Sequence, residues 1–239
     1  MESFIPFAVI ILFASILQTS TGFGFSIMAT PFLLLLFEPK EAIQINLILS
    51  LVISCVLIRK IKKDTDMSLV KRFIVGSAAG LPVGMIIFLL ADMNKLKLGI
   101  SVIVLVLTLL LIFKFQIRQT KARDFTAGVL SGTLTTSIGM PGPPILLYFS
   151  SIHTGKEKLR ATTLAFYLFI YSTSLLVQVL FAGTTKAIWL SSAAALPIVL
   201  AGLLLGQWLF TRINQRIFRI FLYGLLIFTG IYLLIDSLK

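Results

Sequence analysis

Two clusters of glycine, proline and hydroxyl residues interrupt otherwise apolar stretches of the sequence. The first runs from Gln18 to Ser26, and the second runs from Thr135 to Pro144. Glycine and proline break a helix, and the N–H groups at the start of the next helix can bind an anion together with nearby hydroxyl donors. The chemistry that these residue types support is the reversible binding of a small anion.

The candidate ligands are hydroxyl groups and glycine N–H groups at the two breaks, together with polar side chains on two neighbouring segments. They are Ser20, Thr21, Gly22, Gly24, Thr136, Ser137 and Gly139 at the breaks, with Asn46 and Thr163 nearby. Ser26 is expected to cap the helix after the first break, and Pro143-Pro144 suit the first turn of the helix after the second. Such clusters also occur as kinks or packing contacts, but two clusters at corresponding places favour a binding site.

Ionisable residues are absent from the middle of the apolar stretches. All nine acidic residues lie in polar links or at the ends of stretches, and no Lys or Arg lies mid-stretch. This distribution argues against a proton relay or a sodium site built on buried carboxylates. The sequence has no Walker loop, HExxH pair or nucleophile elbow, and the single Cys55 and single His153 form no metal-ligand cluster. We therefore expect no enzymatic activity, no metal and no organic cofactor.

The composition indicates the surroundings in which these residues work. Hydrophobic residues make up 58% of the 239-residue chain, charged residues make up 13%, and the mean hydropathy is +1.03. A soluble domain carries about twice that charged fraction, and a lipid bilayer is the solvent that suits so apolar a chain. The net charge of +12 lies in short links, where it sets topology and contacts anionic lipid headgroups rather than nucleic acid. The expected partners are the bilayer and a small anion; the sequence is compatible with an oligomer but does not support one.

Eight apolar segments can be distinguished, and most are near the ~20 residues that cross a bilayer as a helix. They cover residues 3–37, 42–58, 69–91, 96–115, 124–152, 161–182, 187–211 and 217–236. Their continuous rather than alternating hydrophobicity argues against a strand barrel. Segments 1 and 5 contain the two breaks, so each is either a kinked span or a hairpin that stays within the membrane.

The distribution of Lys and Arg decides between these alternatives. If segments 1 and 5 are hairpins, four links on one side carry six, four, three and three basic residues, 16 in total, against five elsewhere. If all eight segments cross once, the division is only 12 against nine. The positive-inside rule favours the hairpins. It predicts that the links between segments 2–3, 4–5, 5–6 and 7–8 are cytoplasmic and that both termini face outward.

Each half then contains one hairpin and three spans, so the two halves are inverted relative to each other. The predicted N-terminal repeat covers residues 1–115, and the C-terminal repeat covers residues 116–239. Residual similarity supports a duplication, because Ala79–Gly84 in segment 3 matches Ala201–Gly206 in segment 7. Inverted-repeat transporters bind substrate near the bilayer midplane, where the two hairpin tips can meet. The sequence thus predicts an all-α polytopic membrane protein built from two inverted repeats.

At these residues the chain resembles the TauE/SafE sulfite exporter family, also called the 4-toluene sulfonate uptake permease family. The resemblance rests on Gly22–Ser26 with the arm to Phe32, on Gly139–Pro144, on Ala42 and Arg160-Ala161 before the next spans, and on the paired glycines of segments 3 and 7. It covers nearly the whole chain and implies a transporter in a bacterial-type plasma membrane that moves sulfite, sulfonates or related anions, often outward. Phe23, Met140 and Pro141 interrupt the glycine runs typical of the family, which leaves the substrate open.

The resulting hypothesis is a secondary transporter of small sulfur-containing anions that works by alternating access around a midplane site, with export as the expected direction. Three alternatives stay open. Single-channel currents would identify an anion channel, and turnover of a lipid or thiol would identify a membrane-embedded enzyme. A reconstituted protein that moves nothing would indicate a sensor or scaffold.

Overall fold

The computed structural model describes residues 4–113, 120–150, 155–210 and 215–237, so His153 lies outside the described residues. Within these ranges the chain forms ten α-helices and one short 3-10 helix, Lys62–Asp64, and it contains no strand. The α-helices are α1 (Phe4–Thr21), α2 (Phe25–Leu33), α3 (Pro39–Ile61), α4 (Met67–Leu90), α5 (Met93–Ile112), α6 (Lys121–Ile138), α7 (Gly142–Ser150), α8 (Lys156–Ala182), α9 (Lys186–Phe210) and α10 (Gln215–Ser237).

Four of these helices are long and apolar enough to cross a membrane. The spans are Pro39–Arg59, Met67–Leu90, Glu157–Ala182 and Lys186–Leu209, and shorter apolar segments lie in α1 and α10. Large apolar side chains such as Leu180, Phe181 and Leu204 are mostly exposed on the helix surfaces. Such a surface is suited to lipid rather than to water. The predicted all-helical membrane protein is confirmed, and the several apolar helices fit a multi-pass arrangement.

The helices end where the glycine clusters predicted breaks. Residues 22–24 separate α1 from α2, and residues 139–141 separate α6 from α7. One predicted boundary is wrong in a way that matters for the site, because segment 6 was placed at residues 161–182, whereas α8 begins at Lys156. Lysine and glutamate are good helix formers, so the helix extends through polar residues that an apolar pattern leaves out. Arg160 therefore lies inside α8, where it is buried.

Helix lengths recur along the chain. Both α1 and α6 contain 18 residues, and both α2 and α7 contain nine. The helices α6, α7 and α8 begin at positions 121, 142 and 156, each 117 residues after the starts of α1, α2 and α3 at positions 4, 25 and 39. The order of long, short and three long helices is thus repeated.

Glycines bring two pairs of helices into close contact. A Cβ atom added to Gly80 of α4 would collide with the Val129 carbonyl oxygen of α6. At the other pair, a Cβ atom on Gly206 of α9 would lie 2.6 Å from Cβ of Thr19 in α1. Backbones approach this closely only where a residue has no side chain. The paired glycines singled out in segments 3 and 7 therefore fix the α4–α6 and α1–α9 contacts.

The direction of packing differs between helix pairs. Residue numbers rise together along α1 and α9, where Gly202 faces Ser15 and Gly206 faces Thr19, so these helices are parallel. The same holds for α4 and α6, as the contacts of Gly76 with Gly128 and of Gly84 with Thr136 show.

Two other pairs are antiparallel. Near the start of α3, Gln44 Nε2 donates to the Gly183 carbonyl just after α8 (2.9 Å), whereas Asp66 N, beyond the end of α3, donates to Thr162 Oγ1 near the start of α8 (3.0 Å). Between α5 and α10, Lys97 Nζ lies 2.5 Å from Asp236 Oδ2. A Cβ atom on Gly230, earlier in α10, would contact Leu105, later in α5.

One acidic residue is buried in the first turn of α6. Asp124 accepts hydrogen bonds from the Tyr148 hydroxyl of α7 and from Arg72 Nε of α4, the latter at 2.5 Å. Its side chain is 2% exposed, against 29% for Arg72. A buried carboxylate is stable only when paired and hydrogen-bonded. This cluster joins α4, α6 and α7.

Loss of the Asp124 carboxylate should destabilise the protein. We expect Asp124→Ala to lower the free energy of unfolding by about 3 kcal/mol, because it leaves Arg72 and Tyr148 without their shared acceptor. Thermal denaturation in detergent measures the change. Lys95→Ala is the control, because it removes only the solvent-exposed Asp92–Lys95 ion pair and should leave the melting temperature unchanged. Equal melting temperatures for the two variants would contradict this role of Asp124.

The close contact at Gly80 makes a second stability prediction. Gly80→Ala should separate α4 from α6 and lower stability by about 1–3 kcal/mol through overpacking. Gly99→Ala in α5 is the matched control, because no atom lies within 4 Å of an added Cβ there. That variant should be at least as stable as the wild type, since alanine favours a helix more than glycine does. A Gly80→Ala protein that melts at the wild-type temperature would rule out the close contact.

Candidate functional site

The first break depends on two glycines and one glutamine. Gly22 and Gly24 have φ angles of +88° and +121°, which side-chain-bearing residues rarely adopt. Gly22 N donates to the Gln18 carbonyl (2.7 Å), and Phe25 N, at the start of α2, donates to Gln18 Oε1 (3.1 Å). The residue Gln18 therefore connects the end of α1 to the start of α2. Buried backbone N–H groups need such partners in a membrane, where water is absent.

The predicted cap of α2 is wrong. Gly24 is the N-cap residue and offers no side-chain hydrogen bond. Ser26 lies inside the helix, and its Oγ is 3.3 Å from the hydroxyl of Tyr171 in α8. Gln18 instead supplies the acceptor for the first N–H group, because its longer side chain reaches across the break.

The second break ends α6 with a left-handed glycine. Gly139 has φ +73°, and its N–H group donates to the Thr135 carbonyl (2.8 Å). Its carbonyl accepts from Asn46 Nδ2 of α3 (2.8 Å), and a Cβ atom on Gly139 would lie 2.6 Å from the same nitrogen. Pro143 and Pro144 occupy the first turn of α7, as expected of residues that have no N–H group to satisfy.

The starts of the two short helices lie side by side. A Cβ atom on Gly142, the first residue of α7, would lie 3.0 Å from Ile27 Cδ1 of α2 and 3.2 Å from the Tyr167 hydroxyl oxygen. The rings of Tyr167 and Tyr171 are 5.2 Å apart, and Tyr171 contacts Ser26 of α2. The N-terminal ends of α2 and α7 thus meet against the same face of α8.

A buried cation lies beside the first break. A Cβ atom on Gly22 would lie 2.7 Å from Cγ and 2.9 Å from Cα of Arg160, and Arg160 is only 7% exposed. Sequence reasoning placed this arginine in a polar link. The signal that could have found it is the 117-residue offset, which pairs Gly22 with Gly139 and Arg160 with Ile43. Ile43 of α3 lies beside Gly139, because its Cγ2 is 3.4 Å from a Cβ atom placed on that glycine.

The neighbouring lysine has a different environment. Lys158 Nζ is half-exposed and lies 2.9 Å from Asp66 Oδ2 at the start of α4. This hydrogen bond, together with the one from Leu69 N, lowers the pKa of the Asp66 carboxyl. Two cations in the first turns of α8 therefore differ in exposure, since Lys158 lies at the surface beside Asp66 and Arg160 is buried at the break.

Several predicted ligands use their hydroxyl groups within the protein. Ser20 Oγ donates to the Ile16 carbonyl and Ser137 Oγ to the Thr133 carbonyl, both at 2.7 Å. Thr136 Oγ1 shares a hydrogen bond with Ser174 Oγ (2.9 Å). Thr21 is the last residue of α1, and its side chain lies outside the described part of the chain. All four residues lie within three positions of a break in the sequence, and the described serines donate their hydroxyl hydrogen bonds within their own helices.

Other buried polar atoms near the breaks have no hydrogen-bond partner in the protein. They include Gln18 Nε2, Asn46 Oδ1 and Thr163 Oγ1. All three residues are 0% exposed. An unsatisfied buried polar group costs about 1–3 kcal/mol, so such groups mark positions where a bound molecule can supply the missing hydrogen bond. Among the described residues, no group of three or more His, Cys, Asp or Glu could hold a metal ion.

The contact of Gly139 with Asn46 can be separated from backbone strain. Gly139→Ala places a side chain in the left-handed region, which costs about 1–2 kcal/mol, and its Cβ also displaces the Asn46 side chain. In an Asn46→Ala background the amide nitrogen is absent, so the same substitution should cost only the backbone strain. We expect Gly139→Ala to lower the melting temperature more in the wild type than in the Asn46→Ala background. Equal losses in the two backgrounds would show that the Asn46 contact is unimportant.

Comparison with known proteins agrees with this architecture. No curated protein and no solved structure shows significant similarity to the chain. The family model described as "Sulfite exporter TauE/SafE" matches residues 7–233, which include both breaks and all ten helices in whole or in part. The chain therefore belongs to the TauE/SafE sulfite exporter family.

Proposed function

We propose that the protein is a secondary transporter that exports small sulfur-containing anions, such as sulfite or a sulfonate, through a site between the two helix breaks. The observation that carries this proposal is the contact between the starts of α2 and α7, made by Gly142 and Ile27. Helix N-termini carry partial positive charge and free N–H groups, and two of them at one place attract an anion. Family membership supplies the substrate class.

The transporter is built from two inverted repeats, residues 1–115 and 116–239. If all eight apolar segments crossed the membrane once, α3 and α8 would run in the same direction, and so would α5 and α10. Both pairs are antiparallel, as the Gln44–Gly183 and Lys97–Asp236 contacts indicate. Hairpins formed by α1–α2 and by α6–α7 reverse the second half and make these pairs antiparallel. The packing directions thus support inversion.

Orientation follows from the basic links. The four links with 16 of the 21 Lys and Arg residues face the cytoplasm of a bacterial-type cell, and both termini face outward. The first hairpin then enters from outside and the second from the cytoplasm. Each hairpin opens toward a different side of the membrane, which suits a carrier that exposes one site alternately to the two sides.

Transport requires two conformations that the anion stabilises to different extents. Ser20, Thr21, Gly22 and Gly24 of the first break, and Thr136, Ser137 and Gly139 of the second, form the walls of the proposed site, with Asn46 and Thr163 from α3 and α8. Movement of α2 relative to α7 changes the contacts that the anion makes on one side of the site at a time. The anion therefore has different affinities for the two conformations and shifts the equilibrium between them. A proton can accompany the substrate as bisulfite, without a carboxylate relay.

Transport by the purified chain in liposomes is the direct test. Vesicles loaded with sulfite, thiosulfate, sulfoacetate, sulfate or chloride should lose one of the sulfur anions selectively, with a rate that saturates. The same anion at ~100 times its dissociation constant should stabilise the detergent-solubilised protein by about 2.7 kcal/mol.

Gly142→Val is the informative variant, because its side chain would occupy the place where α2, α7 and Tyr167 meet. We expect efflux to be at least tenfold slower, which corresponds to an increase of roughly 1.4 kcal/mol in the activation free energy of transport. Gly224→Val in α10 is the control, since no atom lies within 4 Å of its added Cβ. Vesicles from which no anion escapes would refute transport, and unitary currents without saturation would identify a channel.

A further inference from the structure

The two breaks are unequal in charge. Arg160 lies against Gly22 at the first break, whereas the residue at the matching position beside Gly139 is Ile43. At the second break Asn46 Nδ2 is already used by the Gly139 carbonyl. A transporter built from two inverted repeats can bind its substrate on the symmetry axis between the repeats or at only one of the two breaks. The cation favours the first break as the place of strongest anion binding.

Two buried donors accompany Arg160. Gln18 is held across the first break by its hydrogen bonds to Gly22 N and Phe25 N, so its side-chain amide lies between α1 and α2. Its Nε2 is buried and has no hydrogen-bond partner. Thr163 follows Arg160 by one helical turn and lies on the same side of α8. The Thr163 Oγ1 is likewise buried without a partner.

Glycine at position 22 is required for this arrangement. Any side chain there would collide with both Cα and Cγ of Arg160, at 2.9 and 2.7 Å from the added Cβ. The first turns of α8 can therefore approach the break closely, while Tyr171 further along α8 contacts Ser26 in the first turn of α2. Ser26 and Ile27 have no acceptor within α2 for their N–H groups, whereas Phe25 N is bonded to Gln18.

We propose that Arg160, Gln18 Nε2 and Thr163 Oγ1 form the anion subsite at the first break and that it takes a sulfur oxyanion with at least two terminal oxygens. A guanidinium donates two parallel hydrogen bonds to such a group, which a spherical halide cannot accept in the same way. The subsite deepens the transport proposal and rests on it. Arg160 and Thr163 belong to α8, whereas Gln18 belongs to the first hairpin. The bound anion therefore links α8 to the first hairpin.

Anion affinity in variants of Arg160 tests the subsite. Sulfite, sulfate and chloride are titrated against purified wild type, Arg160→Lys, Arg160→Gln and Lys158→Gln, with thermal stabilisation as the measurement. A charge-assisted hydrogen bond accounts for about 10- to 100-fold in affinity, so Arg160→Gln should bind sulfite about 100-fold more weakly and Arg160→Lys about 10-fold. Lys158→Gln removes the same charge from the same helix but away from the break, and it should bind like the wild type.

Substitutions of Thr163 provide a second test, because they leave the charge of the subsite unchanged. Thr163→Val keeps the shape of the side chain but removes the donor, and it should weaken sulfite binding about fivefold or more, whereas Thr163→Ser should restore it. A merely structural role would lower the melting temperature without anion and leave the preference for sulfite over chloride unchanged. If Arg160→Gln does not fold, Arg160→Lys and the Thr163 pair decide the outcome.

The possible failures are distinguishable. If the wild type exports sulfite while Arg160→Lys, Arg160→Gln and Thr163→Val bind it with unchanged affinity and selectivity, the subsite is wrong and the transport proposal stands. If Lys158→Gln weakens binding as much as Arg160→Gln does, the effect is general electrostatics and the subsite is overturned. If the wild type neither binds nor moves any anion in the panel, both proposals fail together.

Discussion

The constraint on which this structure depends is that a lipid bilayer offers no water to backbone hydrogen-bonding groups. A helix that breaks inside the membrane must find replacement partners within the protein. The two breaks meet this requirement differently, since Gln18 accepts from the first N–H group of α2 and Asn46 donates to the carbonyl of Gly139, just after α6. Each polar side chain leaves one of its own atoms without a partner. The side chains that stabilise the breaks are therefore also the ones that can respond to a ligand.

Glycine contacts hold the broken helices in place. Thr133 and Thr136 of α6 lie against Gly84, and the residues 117 positions earlier, Ile16 and Thr19 of α1, lie against Gly206. The same contact thus occurs once beside each break, with α4 packed against α6 and α9 packed against α1. Close glycine packing compensates for the weak hydrophobic drive between helices in lipid. It holds the long helices α1 and α6 in place, while the short helices α2 and α7 contact each other.

The sequence predicted the membrane fold and the helix breaks, because glycine, proline and hydrophobic runs act locally. It could not predict which side chains cross between elements. Ser26 looked like a helix cap by its position, but Gln18, eight residues earlier, reaches the same N–H region through the break. Arg160 looked like a link residue because Lys156, Glu157 and Lys158 precede it, yet these polar residues continue the helix. Long-range contact with Gly22 decides its burial, and no local pattern encodes that contact.

The central claim is that the contact between the starts of α2 and α7 must open and close during transport. A double-cysteine variant, Ile27→Cys/Gly142→Cys in a Cys55→Ser background, tests this claim most directly, since the two positions are in contact. Sulfite efflux from liposomes is measured before oxidation, after oxidation and after reduction. The account predicts that the disulfide stops efflux and that reduction restores it. Efflux that continues unchanged in fully cross-linked protein would contradict it.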